Sequence, residues 1–170
     1  MTPGAHRFKL VAATSADAAE IALLRTVAAL DLTRRYGKGH WSSAATERGV
    51  LNDLRTGSVL IARRRGRLIA TLRLATKKPW AIDVSYFTPC VRPLYLTAMA
   101  VTPDRQGAGV GAHCLGLAQQ VAREWPADMI RLDAYDAPAG AGAFYRKCGF
   151  RETGRVVYRG NPLVYFELPV

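Results

Sequence analysis

Hydrophobic positions recur along this chain in two periods, and each change of period marks a predicted element. Phe8 to Ala12 is a short apolar run and reads as the first strand. Thr14 and Ser15 offer helix caps with Asp17 in the first turn, and Ile21, Leu24, Val27 and Ala28 keep helical spacing to about Leu30. Ser42 or Ser43 is placed to cap a second helix through Val50, Leu51 and Leu54 that stops near Gly57. Val59 to Ala62 and Leu68 to Ala75 flank Arg65-Gly66 as a β-hairpin. The stretch from Lys77 to Arg92 is irregular, broken by Pro79, Pro89 and the following Pro93. Leu94 to Val101, bounded by Pro93 and Pro103, reads as a central strand. A helix with Gly111, Cys114, Leu115, Ala118, Val121 and Ala122 on one face follows and ends at Trp125-Pro126. Met129 to Tyr135 is another strand. Ala141, Phe144, Tyr145 and Cys148 share a helical face closed by Gly149, and strands around Val156–Tyr158 and Leu163–Leu168 flank a turn at Arg159-Gly160-Asn161-Pro162. This order predicts an α+β, or mixed α/β, fold.

Composition narrows the class. A chain of 170 residues fits one domain, spanning 1–170, and 49% hydrophobic with 22% charged residues excludes wholesale disorder. No run approaches 18 apolar residues, which excludes a membrane-spanning helix. Met1 to Lys9 lacks the apolar core of a signal peptide, so a cytoplasmic protein is expected. Cys90, Cys114 and Cys148 are far apart with no C-x-x-C pair, which supports neither a disulfide framework nor a zinc site. The 24 basic and 13 acidic residues leave a net charge of +11, which attracts polyanions. Nineteen of the basic residues are arginine, as a GC-rich coding bias would also produce. The dense cluster Arg63-Arg64-Arg65-Gly66-Arg67 falls on the predicted hairpin turn and reads as a solvated loop rather than a nucleic-acid site.

Candidate chemistry centres on Val101-Thr-Pro-Asp-Arg-Gln106-Gly107-Ala108-Gly109-Val110-Gly111, where a strand enters a glycine-rich loop that opens into a helix. Glycines let the backbone approach a bulky anion, and the unpaired amides of a first helical turn point at it. The run from Gly107 formally matches the dinucleotide fingerprint G-x-G-x-x-G/A. However, Pro103 to Gln106 separate strand from glycines, and too little chain follows for a second nucleotide-binding half. No G-K-[ST] follows either, which excludes a nucleotide triphosphate loop.

Gln106-Gly-Ala-Gly109-Val-Gly111 after Val101-Thr-Pro103 resembles the Q/R-x-x-G-x-G/A signature of the GNAT superfamily of acyl-coenzyme A-dependent N-acyltransferases. A second block, Ala141-Gly-Ala-Phe144-Tyr145-Arg-Lys-Cys-Gly149-Phe150, resembles that family's A-x-x-F-Y-x-K-x-G-F element. The resemblance covers residues 94–151. It implies a mixed, mostly antiparallel central sheet flanked by helices, with acetyl-coenzyme A as co-substrate and no metal. The implied reaction is acetyl transfer to a primary amine of a small molecule or a protein N-terminus, and homodimers are common in such a family. One departure stands out: Pro138 occupies the position where the family often carries a cofactor-binding asparagine, so that contact is missing here.

Carried residue by residue, the resemblance gives the backbone of Met99, Ala100 and Val101 to the pantetheine arm. Gln106, Gly107, Ala108, Gly109, Val110, Gly111 and Ala112 go to the pyrophosphate loop, with a backbone bulge at Ala98-Met99. Tyr145 is the implied general acid, a phenol with a pKa of about 10 that stays protonated at neutral pH. A free amine is mostly protonated near neutrality, so a base is needed. Asp133, on the strand between the two blocks, is the candidate, with Asp83 and Asp136 as alternatives; His40 and His113 are the remaining titratable options. The acceptor side is assigned to the loop after the first helix, with Tyr36, His40 and Trp41, and to Trp80, Asp83, Tyr86 and Phe87 in the irregular segment. If these groups converge, they form one apolar slot for a small amine. The rival reading is a non-catalytic coenzyme A-binding or basic partner-binding module of the same fold.

Overall fold

The computed structural model describes residues 8–170, and Met1–Arg7, most of the stretch read for a leader peptide, lie outside the described residues. Strands β1 (Leu10–Ala12), β2 (Ser58–Arg64), β3 (Arg67–Ala75), β4 (Pro93–Val101), β5 (Met129–Tyr135), β6 (Arg151–Tyr158) and β7 (Asn161–Pro169) form one sheet. Their order is β1-β2-β3-β4-β5-β7-β6, and every pairing is antiparallel except β4 with β5. Helices α1 (Ala18–Tyr36), α2 (Glu47–Thr56), α3 (Val110–Glu124) and α4 (Gly142–Lys147) complete the α+β fold. Among the described residues no helix is long and apolar enough to cross a membrane.

Strand alternation sends one face of the sheet to each helix layer. Leu60, Leu72, Leu94, Ile130, Leu132 and Phe166 pack with Cys114, Leu115 and Ala118 of α3 and Tyr145 of α4. On the other face Val59, Ile61 and Leu68 meet Ile21, Leu24 and Val50 of α1 and α2. The 76–92 segment covers the rest of that second face, where Ile82 and Phe87 pack on Tyr95 and Tyr165.

The sequence placed most elements, with some corrections at their ends. The first strand begins at Leu10, and Phe8 is a core residue just outside it. The first helix runs on to Tyr36, because Arg34 and Arg35 pair with Asp31 on its polar face and Gly37 then leaves the helix at φ +82°. The cap of α2 is Thr46, whose Oγ1 accepts from the Gly49 N–H at 3.0 Å. Ser42 instead closes a short 3₁₀ turn, His40–Ser42, where its Oγ accepts from the Gly39 N–H. β6 begins at Arg151, well before Val156, because an edge strand tolerates the polar run Arg151–Arg155.

Two features of the sheet position the site. β4 and β5 pair only through Pro93–Met129, Leu94–Ile130 and Tyr95–Arg131, although β4 continues to Val101 and β5 to Tyr135. Beyond those three pairs the strands part into a wedge. On its other edge β4 shifts register against β3 opposite Leu72, where Ala98 takes φ +51°, so the expected bulge is present.

Candidate active site

The wedge opens on the glycine loop. Gly109 caps α3 at φ +83°, a left-handed conformation that any residue with a Cβ adopts at a cost of about 1–2 kcal/mol. The first intrahelical bond runs from the His113 N–H to the Gly109 carbonyl at 3.0 Å, which leaves the amides of Val110, Gly111 and Ala112 without a helical partner. The Gln106 side chain turns back and donates to the Val101 carbonyl at 3.0 Å, tying the loop to the end of β4. α4 supplies the opposite wall. A six-residue turn closes on Gly149 (φ +90°), with the Phe150 N–H on the Tyr145 carbonyl and the Gly149 N–H on the Arg146 carbonyl. That closure seats the Phe150 ring edge-on against Tyr145, with centroids 5.4 Å apart.

Met99, Ala100 and Val101 of β4 line one cavity with Gln106, Gly107, Gly109, Gly111 and Ala112 of the loop, Tyr145 of α4, and Ala28 and Leu32 of α1. Its volume is about 510 Å³. Ala108 and Val110 do not line it; Ala108 is exposed, and Val110 points into the core. The Tyr145 ring is buried, and its Oη meets Met99 Sδ at 4.0 Å across the cavity. Burial, with the Asp133 charge adding to it, raises the phenol above its ordinary pKa and holds the proton on Oη.

Asp133 projects to the face opposite α3, as its cross-strand partner Tyr165 does. Burial raises its carboxyl above the usual carboxylate range, and only a hydrogen bond from its own backbone N–H works the other way. Burial raises the phenols of Tyr135, Tyr145 and Tyr165, and the Asp133 charge adds to each rise. Tyr135, two residues along β5 on the same face, donates to the His40 carbonyl at 3.3 Å and meets the Trp41 ring edge-on at 5.8 Å. The loop after α1 is thereby fastened at the open end of the wedge.

The other candidates scatter. Asp136 is held by Arg155 at 3.1 Å, and the His113 ring packs edge-on against Phe8. Tyr36 is exposed at the end of α1 beneath the Arg35 guanidinium. Trp80 and Asp83 line a separate groove above β6 and β7, and Phe87 is buried beneath the segment. The two aromatic groups therefore do not form one slot: Trp41 stands against Tyr135, and Trp80 lines the groove over Tyr165. Tyr135 and Tyr165 escaped the sequence reading. The alternation Arg131-Asp133-Tyr135 carried a signal for the first, but Tyr165 reaches Asp133 only through the β5–β7 pairing. Cys114 lies in the core with its thiol pushed up to about 12 by burial. Among the described residues no group of His, Cys, Asp and Glu is placed to hold a metal ion.

Solved structures share this fold. A GNAT-family acetyltransferase from Listeria monocytogenes superposes with a TM-score of 0.76 at 17% identity, covering 100% of this chain and 99% of that one. A putative acetyltransferase from Salmonella typhimurium, solved with its cofactor acetyl-CoA, gives 0.68 at 18% identity, covering 95% of this chain and 93% of that one. In sequence, the chain is 38% identical over 69 residues to an aminoglycoside N(6')-acetyltransferase type 1 from Stenotrophomonas maltophilia. That match spans 41% of this chain and 45% of the curated relative, less than half of either. The model of the acetyltransferase (GNAT) family matches residues 26–150. The chain belongs to that family.

Proposed function

We propose that the protein is an N-acetyltransferase that moves an acetyl group from acetyl-coenzyme A to a primary amine by direct transfer. The wedge carries the reading: unpaired β4 backbone, orphan amides of α3 and a buried phenol face one cavity. These features fit the cofactor. An extended amide arm pairs with a free strand edge as an added strand would, and the amides of Gly111 and Ala112 suit a pyrophosphate. Pro138 offers no replacement for the asparagine contact, whereas the alanines that follow it, Ala139 and Ala141, line the cavity.

When bound, acetyl-coenzyme A supplies an activated thioester. The backbone is irregular at Ala98-Met99, beside the wedge, and a splayed amide there would polarise a carbonyl oxygen. Asp133, with its raised pKa, is a stronger base than an ordinary carboxylate and takes a proton from the ammonium, directly or through water. In such a transfer the freed amine nitrogen would bond to the acetyl carbon as the carbon–sulfur bond breaks, Tyr145 Oη would protonate the leaving sulfur, and the second proton shed by the new amide nitrogen would return, through solvent, to the Tyr145 oxygen. Trp41 and Tyr135 border the amine's approach.

Free thiol measured from acetyl-coenzyme A, with and without a panel of amines, tests the reading. Amine-dependent release is expected, and Tyr145→Phe should lower turnover roughly 10²- to 10⁴-fold with cofactor affinity little changed. Tight cofactor binding with no amine-dependent release would favour the non-catalytic module instead.

A further inference from the structure

The groove holding Trp80 and Asp83 stands apart from the cofactor cavity, with a volume of about 600 Å³ between the 76–92 segment and β6. Large apolar side chains reach solvent along it: Trp80 is 83% exposed and Val157 72%, with Val84 and Tyr86 also exposed. It is also rigidly built. Tyr165 Oη accepts from the Asp83 N–H at 3.1 Å and donates to the Ala81 carbonyl, and Lys78 Nζ donates to the Ile82 carbonyl at 3.0 Å. Tyr86 lies so close over β6 that a Cβ at Gly154 would stand 2.3 Å from its ring. Rings held in place before a ligand arrives lose little entropy on binding.

Tyr165 joins this groove to the proposed reaction centre. It pairs across the strands with Asp133, and its hydroxyl accepts from the Asp83 N–H, so one tyrosine side chain runs from the strand beside Asp133 to the backbone of Asp83. Neither carboxylate forms an ion pair with an arginine or lysine among the described residues. Asp83 stays ionised, because the Ser85 hydroxyl and N–H both donate to it and hold its carboxyl below the usual range. On a chain of net charge +11 a cation is repelled at long range, so a cationic ligand needs such a local carboxylate. Aromatic faces add to that attraction.

Resting on the acetyltransferase reading, we propose that this groove is a second acceptor subsite: the substrate is a dication, one amine reacting at Asp133 while a second ammonium sits at Asp83 between Trp80 and Tyr86. Lys78 lines the same groove and opposes the second charge.

The test compares α,ω-diaminoalkanes of increasing length with the n-alkylamines that match them. The ratio of kcat/KM for diamine over monoamine should exceed one by several-fold at the lengths that span Tyr165. Asp83→Asn keeps an oxygen for the Ser85 donors and should bring the ratio back toward one, whereas Lys78→Met should raise it. Calorimetry of diamine binding to the protein loaded with coenzyme A should follow the same order, and thermal melting checks that each variant folds. A ratio near one in the wild type, or Asp83→Asn lowering both amines equally, overturns the subsite and leaves the acetyltransferase reading intact. If no amine is acetylated, that reading fails, and calorimetry still decides the subsite: loss of diamine affinity in Asp83→Asn supports it, unchanged affinity overturns it.

Discussion

Burial that raises the Asp133 carboxyl acts in opposite directions on chemistry and on stability. A carboxylate with a raised pKa accepts a proton more readily, which suits a base. In the unfolded chain the group ionises near its ordinary value of 3.8, so above that pH the folded state alone bears the cost of a buried charge. The neutral form costs nothing extra at low pH; the penalty grows as pH rises from the unfolded toward the folded pKa, then stays. Asp133→Asn should therefore lower kcat/KM roughly 10²- to 10⁴-fold and yet melt higher than the wild type at neutral pH, with the gain vanishing in acid. Thermal melts of both proteins across that pH range check the stability half. A variant less stable than the wild type at neutral pH would mean that the carboxylate is held by contacts that outweigh its burial.

The 76–92 segment has little regular structure of its own and depends on buried side chains. Glu167 accepts from the Thr88 N–H at 3.0 Å and the Thr88 hydroxyl at 2.6 Å, and it also pairs with Arg151. Arg131, opposite Glu167 on β5, donates to the Thr88 carbonyl at 2.7 Å and lies over the Phe87 ring. These hydrogen bonds outweigh burial and keep the Glu167 carboxyl below its usual range. Glu167→Ala should leave the Thr88 donors unmet and cost about 1–3 kcal/mol in chemical denaturation, with faster proteolysis confined to the segment. A change within the error of the denaturation curve would show that the apolar contacts of Ile82 and Phe87 suffice.

Much of this element structure was legible. Pro93 and Pro103 bracket β4, Ile130–Ala134 alternates apolar with charged residues, and Gly107, Gly109 and Gly111 mark the loop that lines the cavity. The start of α2 was misplaced because serines at 42 and 43 and threonine at 46 are equally good caps, and the 3₁₀ turn that uses Ser42 leaves no periodic trace. The pairing of Asp133 with Tyr165, and hence the link between β5 and the 76–92 segment, follows from strand order. That order joins residues 32 positions apart and is set by long-range packing.

At the scale of the molecule, many of the arginines behind the +11 charge are committed to ion pairs. Arg63, at the tip of the β2–β3 hairpin, is held by Asp17 and Glu20, which favours a structural role for part of that cluster. The net positive charge of the chain favours the approach of an anionic cofactor. On the acetyltransferase reading, the parted strands β4 and β5 seat that cofactor through their main chain. Amide hydrogen exchange with and without acetyl-coenzyme A tests it most directly. Protection should rise between Ala98 and Val101 and between Gly107 and Ala112, while β1 and β6 at the sheet edges stay unchanged. Saturating cofactor that leaves the exchange of those two segments unaltered would contradict the account.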